Sequence, residues 1–295
     1  MKISDRLAGG HFMKDNYSFK WQAENMTIKN EGEVVYLTFP ALEAVIGVRH
    51  GFSTRLGGLS KGVYESMNLS FTRGDSDEVV KENFRRIAKA IGFTTESIVC
   101  GDQTHTANVL RVGKVDCGNG LTKPKPYQDI DGLITNEADV TLATFYADCV
   151  PLYIVDPVHK AIGLSHSGWK GTVQKIGKVT VEAMTREFQT NPSDVLVAIG
   201  PSICQDCYEV SEDVVAEFKA QYSKVQCQEM IIAKENGKYQ LDLWQACVYN
   251  FLEAGVNEDN ITVGGLCTCC NANTLFSHRA SHGKRGNLAA FMSIE

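Results

Sequence analysis

The run TLATFYADCVPLYIVD, residues 141–156, constrains the fold more than any other stretch of the chain. It is apolar, β-branched and aromatic along most of its length. Strands with one exposed face alternate in polarity. A run like this suits a strand buried on both faces, which requires a packed layer on either side. Pro151 has no N–H for a ladder, so the run is expected to break there. AIGLSH (161–166) reads as a second strand, and EVVYLTF (33–39), VLVAIGP (195–201), ITVGG (261–265) and LAAFMSI (288–294) as others.

Helical patterns fall between them. In DSDEVVKENFRRIAKAIG (75–92), Val80, Phe84, Ile87 and Ile91 share one face. Asp75 and Glu78 have capping-box spacing, and Gly92 suits the C-terminal stop. TVQKIGKVTVEAMTREF (172–188), SEDVVAEFKAQY (211–222) and DLWQACVYNFLEAG (242–255) also read as helices, the last capped by Asp242 and Gln245. Residues 50–71 are loop-rich, with Gly57, Gly58 and Gly62 open to positive φ. This alternation predicts an α/β or α+β fold, a compact single domain of mixed β-sheets flanked by helices. Neither repeats nor a Pro/Ser-rich linker divide it. Residues 1–30 are expected to be an N-terminal tail or an added leader, with Met13 a natural start and residues 1–12 an added leader or a frayed tail, and residues 31–295 the domain.

The net charge of -6 argues against nucleic acid or an anionic membrane as partner, while leaving room for a small anion in a local basic pocket. No apolar run reaches the length of a membrane span, and the N-terminus lacks a signal-peptide core. A cytoplasmic location is therefore expected, where ten cysteines are thiols or metal ligands rather than disulfides.

Of seven histidines, His105 in GDQTHTANV and His166 in GLSHSGW stand at apparent strand ends among small residues and turn formers. Cys149, in YADCVP, lies at the expected kink of the most apolar strand. Two imidazoles and a thiolate suit Zn²⁺, and three protein ligands leave the fourth position open, the catalytic pattern. The bland alternative is a buried thiol and two hydrogen-bonding histidines. Cys204 and Cys207 form one C-x2-C pair, and Cys267 and Cys270 another, with Cys269 between the latter. A gap of about 60 residues is far from the usual spacing of a four-cysteine zinc site, so separate core and loop thiols are the favoured reading, with a redox C-x-x-C at 204–207 as an alternative.

In order, the chain carries HGFSTRLGGLSKGVYESMNLSF, GDQTHTANV, DIDGLIT, YADCVPLYIVDP, GLSHSGWKGT, AIGPSICQDCYEV and CTCC…FSHRASHGKRGN. Together these resemble the laccase-domain (YfiH-like) family, also called multicopper polyphenol oxidase-like, over residues 40–295. The resemblance implies metal ligands His105, Cys149 and His166, with glycines near His166 that let backbone approach the metal. It also implies that a helix from about Thr172 aims its N-terminus at the site. One departure is His278, where the family more often has tyrosine.

The resemblance further implies a zinc-dependent purine nucleoside enzyme. It would phosphorolyse adenosine, inosine and methylthioadenosine to base and ribose 1-phosphate, with phosphate as co-substrate, and would deaminate adenosine. For deamination, activated water would attack C6 of adenine, with Asp148 the candidate acid. For phosphorolysis, Arg55, Lys170, Arg279 and Arg285 are candidates to hold phosphate, Arg55 first because it lies inside the glycine loop. Asn68 and Gln103 could hold base or ribose. A second reading is a peptidoglycan-editing hydrolase that removes L-serine from a UDP-muramyl precursor, by Cys–His nucleophile or by zinc. A third, true laccase activity, is disfavoured. Four coppers require about ten histidines in close clusters. This chain has seven and no H-x-H, so bound copper would be adventitious. A non-catalytic metal-binding protein is the fourth.

Overall fold

The long apolar run folds as two strands in two different sheets. The computed structural model describes residues 10–14, 17–21 and 25–295. Thr141–Tyr146 lies in one six-stranded sheet and Val150–Asp156 in another. The chain crosses between them at Ala147–Cys149, with Asp148 in the left-handed region at φ 87°. The break thus precedes Pro151, which is paired opposite His166 inside the second strand. Its carbonyl accepts from Gly200 N at 2.8 Å. A Cβ on Gly200 would lie 2.8 Å from the Pro151 ring, so glycine makes room for proline in a central strand.

The first sheet runs Ile261–Val263, Leu196–Ile199, Val150–Asp156, Ala161–Ser167, Gly132–Thr135, Val109–Arg111. Its inner pairs are antiparallel and its two outer pairs parallel. The second runs Thr27–Glu31, Val34–Thr38, Val48–Ser53, Leu288–Ile294, Thr141–Tyr146, Ile98–Cys100. A smaller sheet joins Glu209–Val210, Tyr239–Leu241 and Ile231–Ala233.

Strand periodicity assigns the faces. Tyr153 and Val155 of the first sheet, with Ile162 and Leu164, meet Leu142, Tyr146 and Met292 of the second in one core. Leu152 and Ile154 face the opposite way, onto the helices Ile176–Phe188 and Leu243–Glu253. Ala143 and Phe291 face the helix Asp77–Ile91, which buries Val80, Phe84 and Ile87 as its periodicity predicts. The result is four layers, helix–sheet–sheet–helix. The mixed α+β domain expected from sequence is the fold observed. No helix among the described residues is long and apolar enough to cross a membrane.

Three local expectations differ. The helix expected over 172–188 is split into Trp169–Val173 and Ile176–Phe188, with Lys175 at φ 60° between them. The Thr172 carbonyl accepts from Tyr222 Oη at 3.0 Å and Asn250 Nδ2 at 2.9 Å, so tertiary donors occupy a ladder position. The helix Asp77–Ile91 begins after Ser76, and Asp75 does not cap it. The Asp75 carboxylate instead accepts from Asn68 Nδ2 at 3.0 Å. Strand structure also enters the expected glycine-loop segment, through Ser53.

Gly10–Lys14 and Tyr17–Trp21 pair as a ribbon, and the hairpin of Thr27–Glu31 with Val34–Thr38 straddles residue 31. Residues 1–9, 15, 16 and 22–24 of the expected tail, and so most of the expected leader, lie outside the described residues.

Candidate functional site

Two of the crossings between the sheets, from Cys100 to Val109 and from Tyr146 to Val150, converge on one place. His166 stands near the end of Ala161–Ser167, at a position facing the other sheet. Cys149 lies on the crossing from Tyr146 to Val150. His105 lies on the loop from Ile98–Cys100 in the second sheet to Val109–Arg111 in the first, at φ 69°. It is therefore a loop residue, several positions past its strand. One ligand atom from each of the three lies within 4.8 Å of the others. Cys149 Sγ is 3.8 Å from His105 Nε2, and the imidazole centroids are 5.0 Å apart.

Asp131 organises this triad and was not singled out by residue-level reasoning, although it sits in DIDGLIT. Its carboxylate faces His166 Nδ1 at 2.7 Å, leaving Nε2 for the cluster. It also accepts from the amides of Thr104, His105 and Thr106 at 3.1, 3.1 and 2.8 Å. One carboxylate therefore aims one imidazole and shapes the loop that presents the other.

Electrostatics follow from this contact set. Burial alone would raise the Cys149 thiol, but the His166 charge and hydrogen bonds from both histidines outweigh it and lower it to about 6. Burial would lower His166, but the Cys149 sulfur and Asp131 raise it to about 9. Burial raises Asp131, yet the His166 hydrogen bond and charge with the loop amides bring it below the ordinary carboxylate value. A thiolate poised beside two imidazoles is a soft N/S donor set.

The residues fit a metal such as zinc on a further observation. A Cβ on Gly168 would lie 2.5 Å from His105 Cδ2 and 3.2 Å from Cys149 Sγ. Glycine at 168 is what lets the triad close. The expected long helix aimed at the site is absent, because Trp169–Val173 is a single short turn.

His105 and Cys149 line two clefts. The larger, about 410 Å³, also holds His166, Gln103, Arg73, Lys125 and Arg285. The smaller, about 290 Å³, holds Asp148, Trp169, Lys170, Ile203 and Tyr208. The remaining sequence candidates divide accordingly. Arg55 lines neither cleft. Its guanidinium donates to the carbonyls of Glu65 and Ala272 at 2.6 and 2.8 Å and lies over Phe276. The glycine loop that made it the first choice is tied to residues 272–276 instead. Asn68 is fully buried and bonded to Ser70, Asp75 and the Asn287 amide. Gln103 reaches the larger cleft, but its amide pairs with both backbone groups of Phe145 at 2.7 Å. Arg279 grips the carbonyls of Cys207 and Glu209, lining neither cleft. Asp148 accepts from Thr268 Oγ1 at 2.6 Å and Arg279 N at 2.7 Å.

Arg285 is the buried cation of the larger cleft, 9% exposed, and its Nε has no partner. Burial and then the nearby Arg73 guanidinium lower it to about 10. Its Nη2 faces His278 Nδ1 at 3.4 Å, so the departure at 278 lies behind this cation. Lys125 is already paired with Asp102. Arg73 and Lys125 were missed because a single cation in a loop carries no pattern.

The family model described as multi-copper polyphenol oxidoreductase laccase matches residues 49–295. A purine nucleoside phosphorylase of Bacillus subtilis, YlmD, is 37% identical over 246 residues, 83% of this chain and 88% of that protein. The purine nucleoside phosphorylase YlmD of Geobacillus stearothermophilus is 39% identical over 249 residues, 83% of this chain and 90% of its own. The crystal structure of YlmD from Geobacillus stearothermophilus superposes with a TM-score of 0.84 at 35% identity, covering 91% of this chain and 98% of that one.

Proposed function

The chain belongs to the multi-copper polyphenol oxidoreductase laccase family, and from that premise we propose that it is a purine nucleoside phosphorylase holding zinc on His105, Cys149 and His166. The observation that carries the reading is the shared cleft. The triad and two mutually repelling guanidiniums, Arg73 and the buried Arg285, line the same space of about 410 Å³. That volume suits a nucleoside with an anion beside it. A phosphate would relieve the repulsion and give the paired guanidiniums an anionic partner. Relatives at 37% and 39% identity carry the phosphorylase name. Laccase chemistry is disfavoured by the same inventory, since the triad has only two imidazoles.

In phosphorolysis a phosphate oxygen forms a bond to ribose C1′ while the bond from C1′ to the purine nitrogen breaks. The base then takes a proton. Arg285 and Arg73 hold the phosphate, and Asp131 keeps His166 Nε2 aimed at the cleft. Bound zinc supplies a Lewis acid at the cleft wall. Adenosine, inosine and methylthioadenosine are the proposed substrates. Deamination of adenosine in the same cleft is the weaker proposal. Both Asp148 oxygens already accept hydrogen bonds, from Thr268 Oγ1 and Arg279 N, which tie the carboxylate to the wall rather than aim it at a leaving group.

Product analysis of the zinc-loaded protein with adenosine, with and without phosphate, tests this. Adenine and ribose 1-phosphate are expected only with phosphate. Arg285→Met should raise the phosphate KM roughly 10-fold or more, the size of one charge-assisted hydrogen bond, and leave the adenosine KM nearly unchanged. Inosine as the product under both conditions would overturn phosphorolysis as the main reaction. No turnover at all would sink the purine reading.

A further inference from the structure

The second C-x2-C pair finds the first across the fold. Leu196–Ile199 and Ile261–Val263 are parallel neighbours, and their pairing is extended by a bridge between Ser202 and Cys267. Each C-x2-C follows the C-terminal end of one of these strands. The helices between them belong to the crossover, so sequence distance says nothing about distance in space. One sulfur from each of Cys204, Cys207, Cys267 and Cys270 lies within 4.8 Å of all the others. Cys207 Sγ and Cys270 Sγ are 3.5 Å apart. Four sulfurs on a tetrahedral zinc, each about 2.3 Å from it, stand about 3.8 Å from one another.

We propose that Cys204, Cys207, Cys267 and Cys270 form a second metal site that takes a thiophilic divalent cation, zinc by preference, and fastens one wall of the smaller cleft beside the triad. The sulfurs are arranged as acceptors. The amides of Cys204 and Cys270 donate to Cys267 Sγ at 3.3 and 3.4 Å, the contact that supports a ligating thiolate. Four protein ligands close the coordination sphere, which marks a structural site. Cys204 and Cys267 are buried, while Cys207 and Cys270 lie nearer the surface, so an ion has a way in.

The fastened loops reach the smaller cleft, which His105 and Cys149 also line. Thr268 donates to the Asp148 carboxylate, Ile203 N donates to the Asp148 carbonyl at 3.0 Å, and Asp148 adjoins Cys149. Ile203 and Tyr208 line the smaller cleft. Linking the two loops holds this wall against the triad.

Metal analysis of the purified full chain tests the site whatever the substrate is. About two zinc per chain are expected, one closed by four thiolates and one on the triad. Cys207→Ser with Cys270→Ser should lose about one equivalent, and His105→Ala the other. Cobalt substitution should give the intense sulfur-to-metal charge transfer of a four-thiolate site in His105→Ala, and only the weaker band of the single Cys149 thiolate in the cysteine variant. Should that variant fail to fold, alkylation mapping of the wild-type chain replaces it. The four cysteines should be protected with zinc and become labelled together after chelation. Unchanged zinc content in the cysteine variant, labelling indifferent to zinc, or a mass showing these cysteines joined as disulfides would overturn the proposal.

Discussion

At the scale of single residues, the site depends on two positions that do no chemistry. Gly168 supplies an absence, the missing Cβ that lets His105 and Cys149 approach. Asp131 supplies direction. It holds His166 by one ring nitrogen and so commits the other to the cluster. Carboxylates that orient a metal-ligating histidine tune affinity through ring orientation and basicity. Asp131→Asn should therefore lower zinc affinity at the triad roughly 10- to 100-fold, with the fold retained, because an asparagine oxygen in the Oδ2 place still accepts from the amides of Thr104 and Thr106. Competition against a chelator, read by metal content, checks this. Undiminished affinity would mean that the strand alone sets the His166 ring. His105, Cys149 and His166 stood out in the sequence because histidine and cysteine among small residues and turn formers carry their own chemistry, and the family resemblance grouped them. Asp131 did not, since an aspartate before a glycine reads first as a turn. Arg55 misled for a related reason. A cation within glycines resembles an anion loop, but here it ties two loops together.

At the scale of elements, periodicity read the strands well and missed what tertiary partners impose. The four-layer burial of residues 141–156 follows from a run apolar along most of its length on both faces. The split near Thr172 does not, because its cause is a pair of donors about 50 and 78 residues downstream. The C-x2-C pairs failed the spacing rule because that rule describes local motifs, whereas a parallel crossover joins distant ones. The end of Ile176–Phe188 gives a sharper case. Its cap is Gln189, exposed and held at φ 63°, where glycine is the natural occupant. A non-glycine residue in this region costs roughly 1–2 kcal/mol, partly offset by the greater unfolded-state freedom of glycine. Gln189→Gly should stabilise the protein by roughly 0.5–1 kcal/mol, since no side-chain packing is lost. Denaturant unfolding measures it, and a destabilised variant would mean that the Gln189 side chain contributes more than its exposure implies.

At the scale of the whole molecule, the triad sits where the two sheets exchange chain. His166 belongs to the first sheet, while Cys149 and His105 lie on segments that pass between the sheets. An ion held by all three ties the halves of the sandwich together, so its binding energy adds to global stability rather than to one loop. Zinc that binds the folded chain alone, at about 100 times its dissociation constant, adds roughly 2.7 kcal/mol. In a chain of this size each kcal/mol moves the melting temperature by roughly 2 °C, so one site is worth about 5 °C. The four cysteines add a second increment through the loops that follow the parallel strands. Calorimetry of the chelated protein with zinc restored should therefore show a rise of about 10 °C in the wild type. About half of it should remain in His105→Ala, and about half in the paired Cys207→Ser and Cys270→Ser variant. The sites share the Asp148 neighbourhood through Thr268, so the two losses should fall short of strict additivity. A rise abolished entirely by His105→Ala would mean that the triad alone carries the metal-linked stability of the sandwich.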